Sequence, residues 1–186
     1  MNRRTSIKNI LAVSFLGTSL CSSCINNNNG QIESLLRYKS LIAELVDVII
    51  PATDTPGAKD AKVEGFIIKT LAEQDAIAQN RFLSGLKDLQ DYSKRTYGEI
   101  FQNCSLSTKE SILEHYENKG FTSRILKKID ERLFGEPFFY TLKTLTVIGF
   151  CTSKIGTTQA LVYDFIPVYY QACIPLKEGQ KSWATN

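Results

Sequence analysis

Histidine occurs once in these 186 residues, as His115, and that scarcity removes most metal chemistry at the outset. Zinc and related sites need several convergent ligands. There is no HExxH, and the only CxxC is Cys21-x-x-Cys24 near the N-terminus. The ExxH spacing of carboxylate-bridged helical metal sites is missing too, because Ile112 stands three residues before His115. No GxGxxG or GxxxxGK[ST] is present, so neither a dinucleotide fold nor a P-loop is indicated, and there is no GxSxG elbow for a serine nucleophile. Thr152 and Ser153 have no base beside them in sequence. Asp54 and Asp164 could meet as a carboxylate pair, but turn and cap bonds are the commoner use of such residues. The chain is therefore assigned no catalytic, cofactor-binding or metal-binding residue.

An excess of charge is also lacking. The 22 basic residues exceed the 19 acidic ones only through Arg3, Arg4 and Lys8, the sole charged groups before residue 24. Without them no basic footprint for nucleic acid remains. Long apolar runs are absent as well. Ile10 to Leu20 is broken by Ser14, Gly17, Thr18 and Ser19, and a hydrocarbon layer of ~30 Å needs about 20 apolar residues to span.

What is present begins with a targeting pattern. A short basic region, a weak apolar stretch and small residues read as an export signal over 1–24. Arg3-Arg4 with Ile7-Lys8 resembles a twin-arginine signal, used for proteins exported already folded; Ser6 stands where that motif has an apolar residue, and paired basic residues also occur in ordinary signals. Cys24 after two serines resembles a lipoprotein cleavage site, although Cys21 occupies the usual leucine position. Lipidation at Cys24 and plain cleavage nearby both fit. The polar 25–33 stretch, INNNNGQIE, suits a tether. Of the remaining cysteines, Cys151 and Cys173 flank an aromatic segment and are the pair an exported protein would join; spacing alone leaves the bond open.

Residues 34–186 read as one all-α domain, a bundle of five to six helices with a loop-rich aromatic C-terminal segment and no internal repeat. Apolar residues at three- and four-residue steps predict helices over Glu33–Ile50, Ala61–Leu71, Ala76–Tyr97, Ser107–Asn118 and Thr122–Phe134. Pro51 stops the first, and PATDTPGA (Pro51–Ala58) reads as a tight turn in which Gly57 permits a positive φ. Ser107-Thr108-Lys109-Glu110 has capping-box spacing. Pro137 opens a last helix in which Phe138, Phe139, Leu142, Leu145, Val147, Ile148 and Phe150 put apolar groups on nearly every face, which calls for cover by other elements or a partner. After Gly149 the chain reads as loop, CTSKIGTT. Tyr163, Phe165, Tyr169 and Tyr170 could stack on a sugar or cofactor, or serve a core or interface; with so little chemistry beside them the second use is preferred.

IPATDTPGA (Ile50–Ala58) and the pattern FF..LK.LT..GF.TS.IG....L.Y...P..Y..C (Phe138–Cys173) together resemble the gluconate 2-dehydrogenase subunit 3 family. Val168 stands where that family has glycine after the proline. The resemblance implies a small accessory subunit, not an enzyme by itself, of an exported dehydrogenase acting on gluconate or a related sugar. Its partners would be a large FAD-containing subunit of the glucose–methanol–choline class and, in many systems, a cytochrome c subunit carrying haem c. The implied site is periplasmic, with membrane association through a lipid anchor or through the complex. The partner surface is expected at Pro51, Thr53, Asp54 and Pro56 and at Phe138, Phe139, Tyr163, Pro167, Tyr169 and Tyr170. The alternative reading is a lipid-anchored helical binding protein that holds a small ligand with the tyrosines.

Overall fold

A computed structural model describes residues 28–119, 137–163, 173, 175 and 178–183. The export signal with Arg3, Arg4 and Cys24, the expected helix Thr122–Phe134, and Pro167, Tyr169 and Tyr170 lie outside the described residues.

The described chain is all-α, with helices α1 (Asn28–Arg37), α2 (Lys39–Ile49), α3 (Val63–Ala72), α4 (Ala76–Tyr97), α5 (Leu106–Lys119) and α6 (Phe138–Thr152). One isolated parallel bridge, Val162 to Trp183, is the extended pairing among the described residues. No helix among them is long and apolar enough to cross a membrane.

The single helix expected over Glu33–Ile50 is two. At Tyr38 the backbone leaves helical geometry (φ −88°, ψ 5°), and the Tyr38 N–H reaches back only to the Leu35 carbonyl. This tightened turn redirects the chain so that Leu35 on α1 and Leu41, Ile42, Leu45 and Val46 on α2 all enter the core. Pro51 then ends α2 as expected. Ile50, as the residue before proline, is extended (φ −132°, ψ 86°). α3 starts two residues later than expected because Lys62 is left-handed (φ 55°).

α4 has the limits its sequence predicts. The Asp75 carboxylate accepts from the Ala78 N–H at 2.7 Å, and Gly98 ends the helix at φ 79°. Phe82, Leu86 and Leu89 bury one face. The cap of α5 differs from expectation. Ser105, not Ser107, accepts the Thr108 N–H (3.3 Å), and the Ser107 hydroxyl pairs with that of Ser105 (3.1 Å). The cause lies upstream: a 3₁₀ turn at Phe101–Asn103, fixed by the Gln90 side chain accepting from the Phe101 N–H (2.9 Å), brings the chain to its helix two residues early.

α6 crosses α3 and α4 and packs Phe139, Leu142, Thr146, Gly149 and Phe150 inward. Pro137 is its cap residue and not its first helical one. The expected loop after Gly149 is instead helical. α6 runs to Thr152, and a π-helical turn follows at Gly156–Ala160, nucleated by the Ser153 hydroxyl, which donates to the Phe150 carbonyl and accepts from the Gly156 N–H. Those bonds satisfy backbone groups that a helix end leaves open.

A charged cluster ties the turn after α2 to the bundle. Lys59 donates to Glu44 (2.7 Å) and Lys109 to the other Glu44 oxygen (2.6 Å). Lys109 also lies over the Phe101 ring at 5.8 Å. The hydrogen bonds from Lys109 and Lys59, opposed by partial burial, hold the Glu44 carboxyl below its usual range. A depressed carboxylate pKa gives stability that is complete above the unfolded value, near 4.5, and is lost as pH falls through the lower folded value. Glu44→Gln should therefore cost about 1 kcal/mol at neutral pH. Urea melts across acid pH should show the gap between variant and wild type closing below the unfolded value; a gap independent of pH would refute the assignment.

Candidate functional site

The expected partner residues divide between surface and core. Pro51, Thr53 and Asp54 form an exposed tip, Pro56 is half-buried, and Gly57 and Ala58 are buried. The tip is braced by the Thr53 N–H on the Thr55 carbonyl (3.0 Å), the Ala58 N–H on the Ile50 carbonyl (2.9 Å) and the Gly57 N–H on the Asp60 carboxylate (2.9 Å). Tyr163 is half exposed.

Phe139 does not present a surface as expected, and Phe138 is half-buried. Phe139 is 9% exposed. Phe138 sits edge-on to Phe82 (5.1 Å) and Tyr116 (6.4 Å), against α4 where Gly85 leaves room for its ring. The reason is helical phase. With Phe139, Leu142, Thr146 and Phe150 turned inward, the opposite side of α6 carries Tyr140, Val147 and Ile148, which are 48%, 44% and 45% exposed. These are the aromatic and aliphatic groups offered outward. Their helix looked apolar on every face in sequence, and only packing shows which face is free.

Beside this face, α3, α4 and α6 enclose a cleft of about 240 Å³. Thr70 of α3, Gln74 just beyond its end, Arg81 of α4, and Phe138, Thr141 and Leu145 of α6 line it. Arg81 is half-buried and forms no ion pair or hydrogen bond among the described residues. Sequence reasoning passed over it, although one signal was available: Ile77, Ala78, Ser84 and Gly85, its helical neighbours, include no acid.

Among the described residues acid–base groups do not converge. His115 is exposed and stacks on Tyr92 with ring centres 4.4 Å apart. The Tyr116 hydroxyl, raised well above its usual pKa by burial and by its bond to Asp88, donates to that carboxylate at 2.8 Å. Among the described residues no three His, Cys, Asp or Glu groups are placed to hold a metal ion. Cys151 is a half-buried free thiol and Cys173 an exposed one, so the pairing expected between them is not formed in this structure. Cys104, also free, lies 3.4 Å from the Ser93 hydroxyl. Asp164 lies outside the described residues.

Residues 37–168 match the sequence profile of a family described as gluconate 2-dehydrogenase subunit 3. No curated protein and no solved structure matches the chain.

Proposed function

The chain belongs to the gluconate 2-dehydrogenase subunit 3 family, and we propose that it serves its dehydrogenase complex as a non-catalytic subunit, clamping and stabilising a large FAD-containing partner. The family match carries this reading, supported by the outward face of α6 with Tyr140, Val147 and Ile148. In this proposal these exposed apolar groups are part of the surface that meets the partner. FAD, and haem c where a cytochrome subunit exists, belong to the partner chains in this proposal. The substrate oxidised there is gluconate or a related sugar. The exposed 51–54 tip and Tyr163 would add contacts at the edge of the clamp.

Export completes the proposal. Arg3 and Arg4 would direct a folded complex outward, letting a partner without its own signal travel with this chain, and Cys24 would anchor it to the membrane. Co-expression with the FAD subunit, followed by purification through a tag on this chain, should recover a yellow, flavin-absorbing complex; a colourless lone chain would overturn the proposal. Mass spectrometry of the mature protein should find residues 1–23 removed and acyl groups on Cys24. An unmodified N-terminus would remove the anchor while leaving the subunit role intact.

A further inference from the structure

We infer that the cleft between α3, α4 and α6, lined by Arg81 of α4, receives an apolar segment of the flavoprotein subunit that places an aspartate or glutamate against Arg81. This rests on the accessory-subunit reading and specifies its contact.

Helical spacing builds the groove. Thr141, Leu145 and Ile148 follow at i, i+4 and i+7 and share one face of α6; Phe66 and Thr70 stand four residues apart on α3, with Gln74 just past its end. The two rows meet, because a Cβ at position 149 would stand 2.7 Å from Cδ1 of Phe66. Thr70, Leu145 and Thr141 also line the cleft that holds Arg81. Beyond the cleft α3 and α6 are in contact, and beside that contact stand two exposed apolar side chains, Phe66 at 36% and Ile148 at 45%. Ile77, one turn before Arg81 on α4, is 69% exposed.

Charge selects the occupant. An apolar segment lying along this groove would take water from Arg81, and an unpaired guanidinium resists that strongly. A carboxylate at that point turns the cost into a charge-assisted, two-toothed bond and fixes the register of the segment. A wholly apolar or basic partner would be rejected, so the groove discriminates as well as binds.

The test measures affinity of the full-length chain for the co-expressed FAD subunit. Arg81→Glu and Ile148→Glu should each weaken binding by about tenfold or more, because both replace a matched contact with a desolvated charge. Both positions are solvent-accessible, so circular dichroism and thermal melts should stay at wild-type values. Leu106→Glu, at an exposed apolar residue at the start of α5, should bind as wild type. The Arg81→Glu defect should be recovered by an Asp or Glu to Lys change in the partner segment.

If wild type binds the FAD subunit and both groove variants bind equally well, the groove is refuted and the subunit role stands. If wild type captures no flavoprotein, the subunit role itself fails. Light scattering that shows a dimer of this chain broken by Ile148→Glu would assign the groove to a second copy instead. Stabilisation of the isolated chain by octanoate, lost in Arg81→Ala, would assign the cleft to a small carboxylate. Either result overturns the inference.

Discussion

Phe82→Ala should lower the unfolding free energy by about 4 kcal/mol, among the largest effects of any side-chain truncation in this chain. The ring is 2% exposed and sits at the meeting of α4 with α6. Two losses combine there. The transfer energy of a phenyl group disappears, and a void opens that rigid neighbours fill only in part. The neighbour best placed to move is Phe138, whose ring centre is 5.1 Å away, but Phe138 is itself held edge-on by Tyr116 and against the Gly85 backbone. Collapse is therefore blocked, which places the cost in the upper part of the usual range. Phe82 also lines the cleft, so Phe82→Leu is the informative companion. It should cost about 1–2 kcal/mol while keeping the bundle folded. Urea unfolding followed by far-ultraviolet circular dichroism measures both. A loss below about 1 kcal/mol for Phe82→Ala would show that α6 does not pack on α4 as described.

The legibility of this chain tracked how local each cause was. α4 could be bounded from sequence because both its limits are set by adjacent residues, Asp75 as the acceptor at the start and Gly98 in left-handed geometry at the end. Pro51 was equally local. The cap of α5 was misplaced because Ser105 and Ser107 are chemically the same, and the choice between them is made by the Gln90 side chain eleven residues before Phe101. The break at Tyr38 had no proline or glycine to announce it. The apolar steps run through it on both sides, and the turn lets α1 reach α4 and α2 reach α6 while both pack on α3.

The candidate site was hidden for a related reason. A helix as apolar as α6 gives no contrast from which to read its phase, so Phe138 and Phe139 seemed as eligible for a partner as Tyr140 or Ile148. Burial decides between them, and burial is a property of α3 and α4 as much as of α6. Arg81 is only half legible in sequence: its helical neighbours include no acid, but the lack of a counter-charge from the other described helices emerges only when they are assembled. The family resemblance implies a partner, whereas the structure shows which side chains of α6 are exposed.

Gly57→Ala should destabilise the protein by about 3 kcal/mol, for a reason that differs from the one its turn position suggests. Glycine in such a segment usually serves a positive φ, but the positive-φ residues described are Lys62, Gly98 and Gly179. What Gly57 supplies is the absence of a side chain. A Cβ there would stand 2.6 Å from the Ala52 nitrogen, 2.7 Å from the Ile50 carbonyl oxygen and 2.9 Å from the Pro51 carbonyl carbon. All three are backbone atoms, so no rotamer change relieves the clash. Relief requires opening the turn, which sacrifices the Ala58 N–H bond to Ile50 and the Gly57 N–H bond to Asp60. It also pulls at Lys59, the link from this turn to Glu44. The exposed 51–54 tip would then lose its fixed shape. Two measurements separate this account from a mild local adjustment. Chemical denaturation should show the full loss of stability, and hydrogen exchange should show fast exchange at Gly57 and Ala58 while α4 amides keep their relative order. A Gly57→Ala chain that unfolds within about 1 kcal/mol of wild type, with those amides still protected, would mean that the turn is looser than its contacts imply.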